Sequence, residues 1–176
     1  MTDIVYALGT GSKWQDNEIR YSLRSIEKHL SSYSNIWIVG HCPQFLKDIK
    51  LIPFDDVQLN KEANIYQKVL RACNESDITD NFLFFNDDHF LLQDFVANQF
   101  PYYHKGTLDA LIQRFANRRG GYFNCIRRTI KTLRDNGHGT LHFDIHTPII
   151  YNKQKFIEIM PQYDWNHKIG LTVKSM

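Results

Sequence analysis

The run Phe82 to Phe95, FLFFNDDHFLLQDF, breaks a stretch of apolar residues with Asn86-Asp87-Asp88-His89 and then returns to apolar residues. Two adjacent carboxylates in such a setting cost several kcal/mol if they are buried unpaired. A positive partner is therefore expected beside them. Hard carboxylate donors next to an imidazole suit a divalent cation such as Mn²⁺ or Mg²⁺, which also bridges phosphates. On this basis Asp88 and His89 are candidate metal ligands, with Asn86 and Asp87 beside them. The other reading is a capped turn, in which Asn and Asp bond local backbone.

A second constellation lies at 140–146, TLHFDIH, which alternates strictly. As a strand it would place Leu141, Phe143 and Ile145 on one face and His142, Asp144 and His146 on the other. Two imidazoles and a carboxylate on one rigid element offer a metal ligand and a base. His146, followed by Thr147-Pro148, is expected to complete the Asp88 site, and Asp144 is the candidate base. A solvent-facing polar side of an edge strand is the alternative.

Further residues could serve an anionic ligand. Gly9-Thr10-Gly11-Ser12 lacks dinucleotide-binding or P-loop spacing, yet it forms a turn where backbone can approach a ligand. Arg20 falls early in the next expected helix, where the dipole disfavours a cation, which suggests a phosphate or carboxylate partner unless it is simply solvated. Asn64 and Lys68 lie one helical turn apart and could reach a base or a phosphate, or form an ordinary exposed face. Arg127, Arg128, Lys131 and Arg134, close after Arg118-Arg119, form a basic stripe. It is either a solvated face or a surface for an anionic acceptor. Tyr102, Tyr103 and His104 read as a loop whose aromatics could stack on sugar rings or bases.

The elements that must position these residues alternate. Strands are expected at 3–8, 35–40, 49–54 and 82–86, with helices at about 17–31, capped by Asp16, and 63–74. Helices at 107–117, 122–135 and 153–160 follow, the second stopped by Asn136-Gly137. Strand–helix alternation predicts an α/β fold with a mixed, mostly parallel sheet flanked by helices. In such sheets ligands bind beyond the carboxyl ends of the strands, where Asn86 to Asp88 fall.

The 176 residues, 43% hydrophobic, suit one domain with one sizeable core. A net charge of +2 is too small to make non-specific nucleic-acid binding the main activity. Cys42, Cys73 and Cys125 are odd in number and far apart, with no CxxC, so neither a disulfide framework nor a zinc knuckle is supported. No basic n-region with a long apolar h-region opens the chain, and no apolar run approaches a membrane span. A cytoplasmic location with reduced thiols is expected. The closing run WNHKIGLTVKSM reads as the opening of another amphipathic element, leaving open a longer natural protein or a truncated form.

DNEIRYSLRSIEKH (16–29), FLFFNDDHFLL (82–92) and HTPIIYNKQKF (146–156) resemble conserved segments of the Stealth proteins, which transfer hexose-1-phosphate in capsular polysaccharide synthesis. The order of elements leading to an acidic pair is also similar to GT-A glycosyltransferases. Their Asp-x-Asp motif and divalent metal hold a nucleotide-diphosphate sugar. That resemblance implies Asp88 as main metal ligand, an alternative register Asp87-x-His89, and His146 completing the metal shell. YALGTGSKW leads directly into the arginine-bearing helix without the aspartate of the Stealth first region, and the chain is much shorter. These departures favour a compact sugar transferase.

The resulting expectation is a GT-A-like, Mn²⁺- or Mg²⁺-dependent glycosyltransferase. Its donor is a nucleotide-diphosphate sugar, with a UDP-sugar favoured, and Gly9, Thr10, Gly11, Arg20, Asn64, Lys68, Asn86 and Asp87 hold it. A glycan acceptor is favoured over a modified nucleic acid. The alternatives are Stealth-type hexose-1-phosphate transfer, metal-dependent phosphoester hydrolysis, and a non-catalytic carbohydrate- or nucleic-acid-binding module.

Overall fold

The computed structural model describes residues 1–58 and 60–176. Strand and helix alternate through β1 (Thr2–Leu8), α1 (Asn17–His29), the short β2 (Leu30–Ser31), β3 (Tyr33–Gly40), β4 (Lys50–Ile52), α2 (Lys61–Cys73) and β5 (Asn81–Phe85). The two-residue β6 (Phe95–Val96) pairs with β2. Then come α3 (Leu108–Arg114), α4 (Gly121–Asp135), β7 (Ile149–Asn152) and α5 (Lys153–Ile159). Five strands form one sheet in the order β4-β3-β1-β5-β7, all parallel except β7, which runs against β5. The chain is thus a mixed α/β protein with a mostly parallel sheet flanked by helices, as the alternation predicts.

The inner strands read as continuous apolar runs because both sheet faces are covered. Val5, Trp37, Val39, Phe82 and Phe84 pack to one side with α2 and α5. Ile4, Tyr6, Leu8, Ile38, Leu83 and Phe85 pack to the other with α1 and the segment 91–100. A smaller cluster of Leu108, Ile126, Ile130 and Leu133 joins α3 to α4.

Helix starts follow local side-chain chemistry. Asn60 Oδ1 accepts from the Ala63 N–H (2.8 Å), Thr107 Oγ1 from Ala110 N–H (3.1 Å) and Asn152 Oδ1 from Lys155 N–H (3.0 Å). Asp16 does not cap α1 as predicted. It sits at φ 57° with no side-chain capping bond. Ser12 Oγ ties the turn before the helix to its first turn, accepting from Asp16 N–H (2.9 Å) and donating to the Glu18 carboxylate (2.9 Å).

Two predicted elements differ. Residues 140–146 are not a strand; only Leu141 makes an isolated bridge, to Thr107, and the chain then bends. The faces are also exchanged at the start, with His142 buried and Leu141 exposed. The edge strand is β7, immediately afterwards. WNHKIGLTVKSM forms no amphipathic helix: Leu171 to Ser175 are buried in extended and single-turn backbone.

Candidate functional site

The antiparallel turn of β7 explains why distant residues meet. Phe84 of β5 pairs with Ile149 of β7, so the loop leaving β5 and the loop entering β7 emerge side by side. Asp88 lies three residues past the end of β5, and His146 three before the start of β7. Asp88 Oδ2 is 3.2 Å from His146 Nδ1. The other oxygen, Oδ1, is shielded from solvent and has no hydrogen-bond partner among the described residues. Ligand atoms of Asp88, His89 and His146 all lie within 4.8 Å of one another.

The acidic turn is fixed from behind. His89 is fully buried; its N–H donates to the Asn86 carbonyl (3.2 Å), and its Nδ1 accepts from Asn86 N–H (3.2 Å). Ser22 Oγ of α1 donates to the His89 carbonyl (2.7 Å) and lies 2.6 Å from the Tyr6 hydroxyl. Ser25 Oγ accepts from Leu91 N–H (3.0 Å). His89 Nε2 is 3.4 Å from Lys174 Nζ, so both imidazole nitrogens have neighbours. Burial, with Lys174 and His146 adding, holds the His89 pKa down at about 2. Burial and then the Asp88 charge push the Asp87 carboxyl above the usual range.

The 142–147 loop has no ladder of its own and is shaped by side chains from 174 and 175. Ser175 Oγ accepts from the N–H groups of Phe143 and Asp144, both at 3.1 Å. Lys174 Nζ donates to the carbonyls of Ile145 and Thr147, the latter at 3.0 Å. Asp144 and His146 are therefore carried on backbone held from both sides.

Two clefts meet at Asn86, Asp88, Lys61 and Ile65. The larger, about 660 Å³, runs along the turn after β1, with Gly9, Gly11, Ser12, Lys13 and Trp14 in its wall. Asp87, Asn64 and Lys68 also line it. This is where the strand order reverses, with β3 on one side of β1 and β5 on the other, the place where α/β sheets open a crevice. The smaller, about 240 Å³, is walled by Glu62, Tyr122, Asp144, His146 and Lys174.

Several predicted ligand contacts are otherwise engaged. Arg20 is not in either wall; its guanidinium lies over the Phe45 ring, 3.3 Å from the centroid. Thr10 is exposed and outside the larger cleft's wall. Lys68 is buried, pairs with Asp56 at 2.5 Å and donates to the Leu8 carbonyl (2.9 Å). Asn64 Oδ1 accepts from Gln58 N–H (3.0 Å), closing the loop before α2. The basic stripe is largely paired within the chain: Arg128 with Asp164, Lys131 with Asp135, Arg134 with Asp109, and Arg127 with the Arg118 carbonyl. Tyr102 lines a hollow with Thr2 and Asn81, at the amino ends of β1 and β5, away from the acidic turn.

Sequence reasoning missed Glu62, Tyr122, Lys174 and Ser175. A signal for one wall was present: Lys61, Asn64, Ile65 and Lys68 follow helical spacing and all face the clefts. Nothing in the sequence paired the 142–147 loop with residues about thirty positions later.

No protein-family model matches the chain, so the resemblance to Stealth segments stands without a family match. No curated protein matches either. Among solved structures, the chain is similar to the crystal structure of mouse xyloside xylosyltransferase 1 in its apo form. The TM-score is 0.44 at 12% identity, covering 95% of this chain and 72% of that one.

Proposed function

We propose that the protein is a metal-dependent, GT-A-like glycosyltransferase that takes a nucleotide-diphosphate sugar, a UDP-sugar by preference, in the larger cleft. The observation that carries this is the Asp88 carboxylate at the junction of two clefts. One oxygen faces His146 at 3.2 Å and the other is shielded, without a partner among the described residues. A buried acceptor atom left open is the circumstance a cation relieves.

The residues present fit a divalent ion. Asp88 and His146 would hold it, and His89 joins them only by giving up its contact with Lys174. When bound, the cation supplies charge neutralisation for the departing diphosphate. The chain's own residues do the rest. Gly9 and Gly11 let the backbone approach the donor, and Lys13 and Lys61 bring positive charge to its phosphates. Trp14, largely exposed at the mouth, offers a flat face to the base. Across the junction, the smaller cleft positions an acceptor hydroxyl beside Asp144, the expected base, and Glu62. A glycan-type acceptor is favoured over a modified nucleic acid, because the cations of α4 are largely paired within the chain.

A thermal-shift screen with UDP, GDP and CMP, each with and without Mn²⁺, tests the reading. At least one nucleotide should stabilise the protein only when Mn²⁺ is present, by roughly 2–3 kcal/mol at a hundredfold excess over Kd. Asp88→Asn should abolish the metal-dependent part. If no nucleotide gives a metal-dependent shift, the reading fails. Product mass then separates sugar transfer, which adds a hexose without phosphorus, from transfer of hexose-1-phosphate.

A further inference from the structure

The smaller cleft differs from the larger in what its walls can hold. Carboxylates of Glu62, Asp88 and Asp144 face it alongside Lys61 and Lys174. The Lys174 amine is already engaged by two backbone carbonyls. An anionic ligand would meet repulsion on most sides, whereas hydroxyls find hydrogen-bond acceptors. The half-exposed Tyr122 ring adds an apolar face at the start of α4. At about 240 Å³ the space suits a single ring rather than a dinucleotide.

Its two carboxylates outside the His146 contact are not equivalent. Asp144 lines the cleft with Tyr122, and its backbone N–H is held by Ser175. Glu62, in the first turn of α2, is mostly buried and has no ion-pair partner among the described residues. The groups that act on it come from every neighbouring element. Asp144 lies on the loop, Lys61 on its own helix, and Lys174 and the Val173 N–H on the terminal segment. Tyr122 and Cys125 of α4 and Tyr151 of β7 in turn feel its charge. Neither Asp88 nor His146 is among the groups that shift it. Burial, reinforced by Asp144, lifts its carboxyl to about 7, against the pull of Val173 N–H, Lys61 and Lys174. A base matched to neutral pH transfers protons most effectively there.

We propose that the smaller cleft seats a neutral, hydroxyl-bearing acceptor, and that the Glu62 carboxylate takes the proton from the hydroxyl that attacks. The assignment rests on the transferase reading above. The acceptor oxygen bonds to the anomeric carbon of the donor sugar. The bond from that carbon to the diphosphate oxygen breaks, with its electron pair leaving on the nucleoside diphosphate, and the hydroxyl proton passes to Glu62. This single displacement inverts the anomeric centre. Asp144, the base expected from the sequence, is left to orient the acceptor.

The test compares wild type with Glu62→Gln, using UDP-glucose, UDP-xylose and GDP-mannose with Mn²⁺, and ethanol or the more acidic trifluoroethanol as acceptor. Calorimetric binding of the Mn²⁺–nucleotide pair should stay within about twofold, because Glu62 is absent from the larger cleft. Transfer to ethanol should fall by about 10² or more. Transfer to trifluoroethanol should fall by clearly less, since its proton leaves more readily, and the product should carry the inverted configuration. Equal losses with both alcohols, or a retained configuration, overturn the Glu62 assignment alone. A wild type that binds the pair yet uses neither alcohol overturns the neutral-acceptor cleft. Failure to bind any Mn²⁺–nucleotide pair overturns the transferase reading itself.

Discussion

The two carboxylates of the acidic turn meet different circumstances although they are neighbours in sequence. Asp88 reaches His146, while Asp87 is pressed by burial, by Asp88 and by Glu18, with only its own backbone and Lys61 in opposition. A raised carboxylate pKa means that ionised Asp87 works against the fold, and that stability is lost as pH rises through its titration. Asp87→Asn should therefore stabilise the metal-free protein, by up to about 1 kcal/mol at neutral pH. Urea unfolding in the presence of a chelator measures this, and a destabilised variant contradicts it. The residue types of Asp88 and His146 were enough to nominate them as partners. Types alone did not show the intrachain contacts of Arg20 and Lys68 with Phe45 and Asp56, which come from the connections around β4. A single sequence does not tell which loop side chain a helix cation will meet.

Among the elements, the 142–147 loop shows how a period-two pattern arises without a strand. His142 is buried with its N–H donated to the Gly106 carbonyl (3.0 Å), and the next two N–H groups go to one Ser175 hydroxyl. The alternation of polar and apolar residues does not sort them between two faces here: the consecutive Asp144, Ile145 and His146 all line the smaller cleft, while Leu141 is exposed. Helices were more legible, since apolar spacing is a local signal and Asn136-Gly137 ends α4 with Gly137 at φ 74°, although the N-caps Asn60 and Thr107 were not singled out. Ser175→Ala leaves two loop amides without their acceptor, which should cost about 1–3 kcal/mol. The Mn²⁺-dependent thermal shift should shrink as well, because His146 loses its fixed approach to Asp88. An unchanged shift would show that the loop holds its shape without Ser175.

At the scale of the whole molecule, two buried groups oppose each other in acid. His89 stays neutral in the fold down to about pH 2 against an ordinary value of 6.5, so the unfolded chain binds the extra proton. Its contribution falls as pH drops below about 6.5, at about 1.4 kcal/mol per pH unit. Glu62, raised from 4.5 to about 7, does the reverse: its contribution is present at low pH and is lost as pH rises through that window. Between about pH 4.5 and 6.5 the two slopes nearly cancel. Glu62→Gln should expose the His89 slope, so that acidification from about pH 6.5 to 5 costs the variant roughly 2 kcal/mol more than wild type. Denaturant unfolding at both pH values without metal reads this directly, and parallel profiles would refute it. The layered α/β architecture was legible from alternation. The meeting of residues 88 and 146 was legible only as chemistry, because the pairing of β5 with β7 that causes it spans some seventy positions.

The reversed direction of β7 lets one end of the sheet be furnished from unrelated stretches of chain. The wall toward Trp14 is written by residues 9–18, 56–58 and 60–68, the wall toward Tyr122 largely by 122, 144–146 and 173–174, and the two share little beyond Asn86, Asp88, Lys61 and Ile65. Inherited substitutions can therefore accumulate on one side without compensation on the other. A lineage built on this plan is free to reshape one hollow while its neighbour stays as it was.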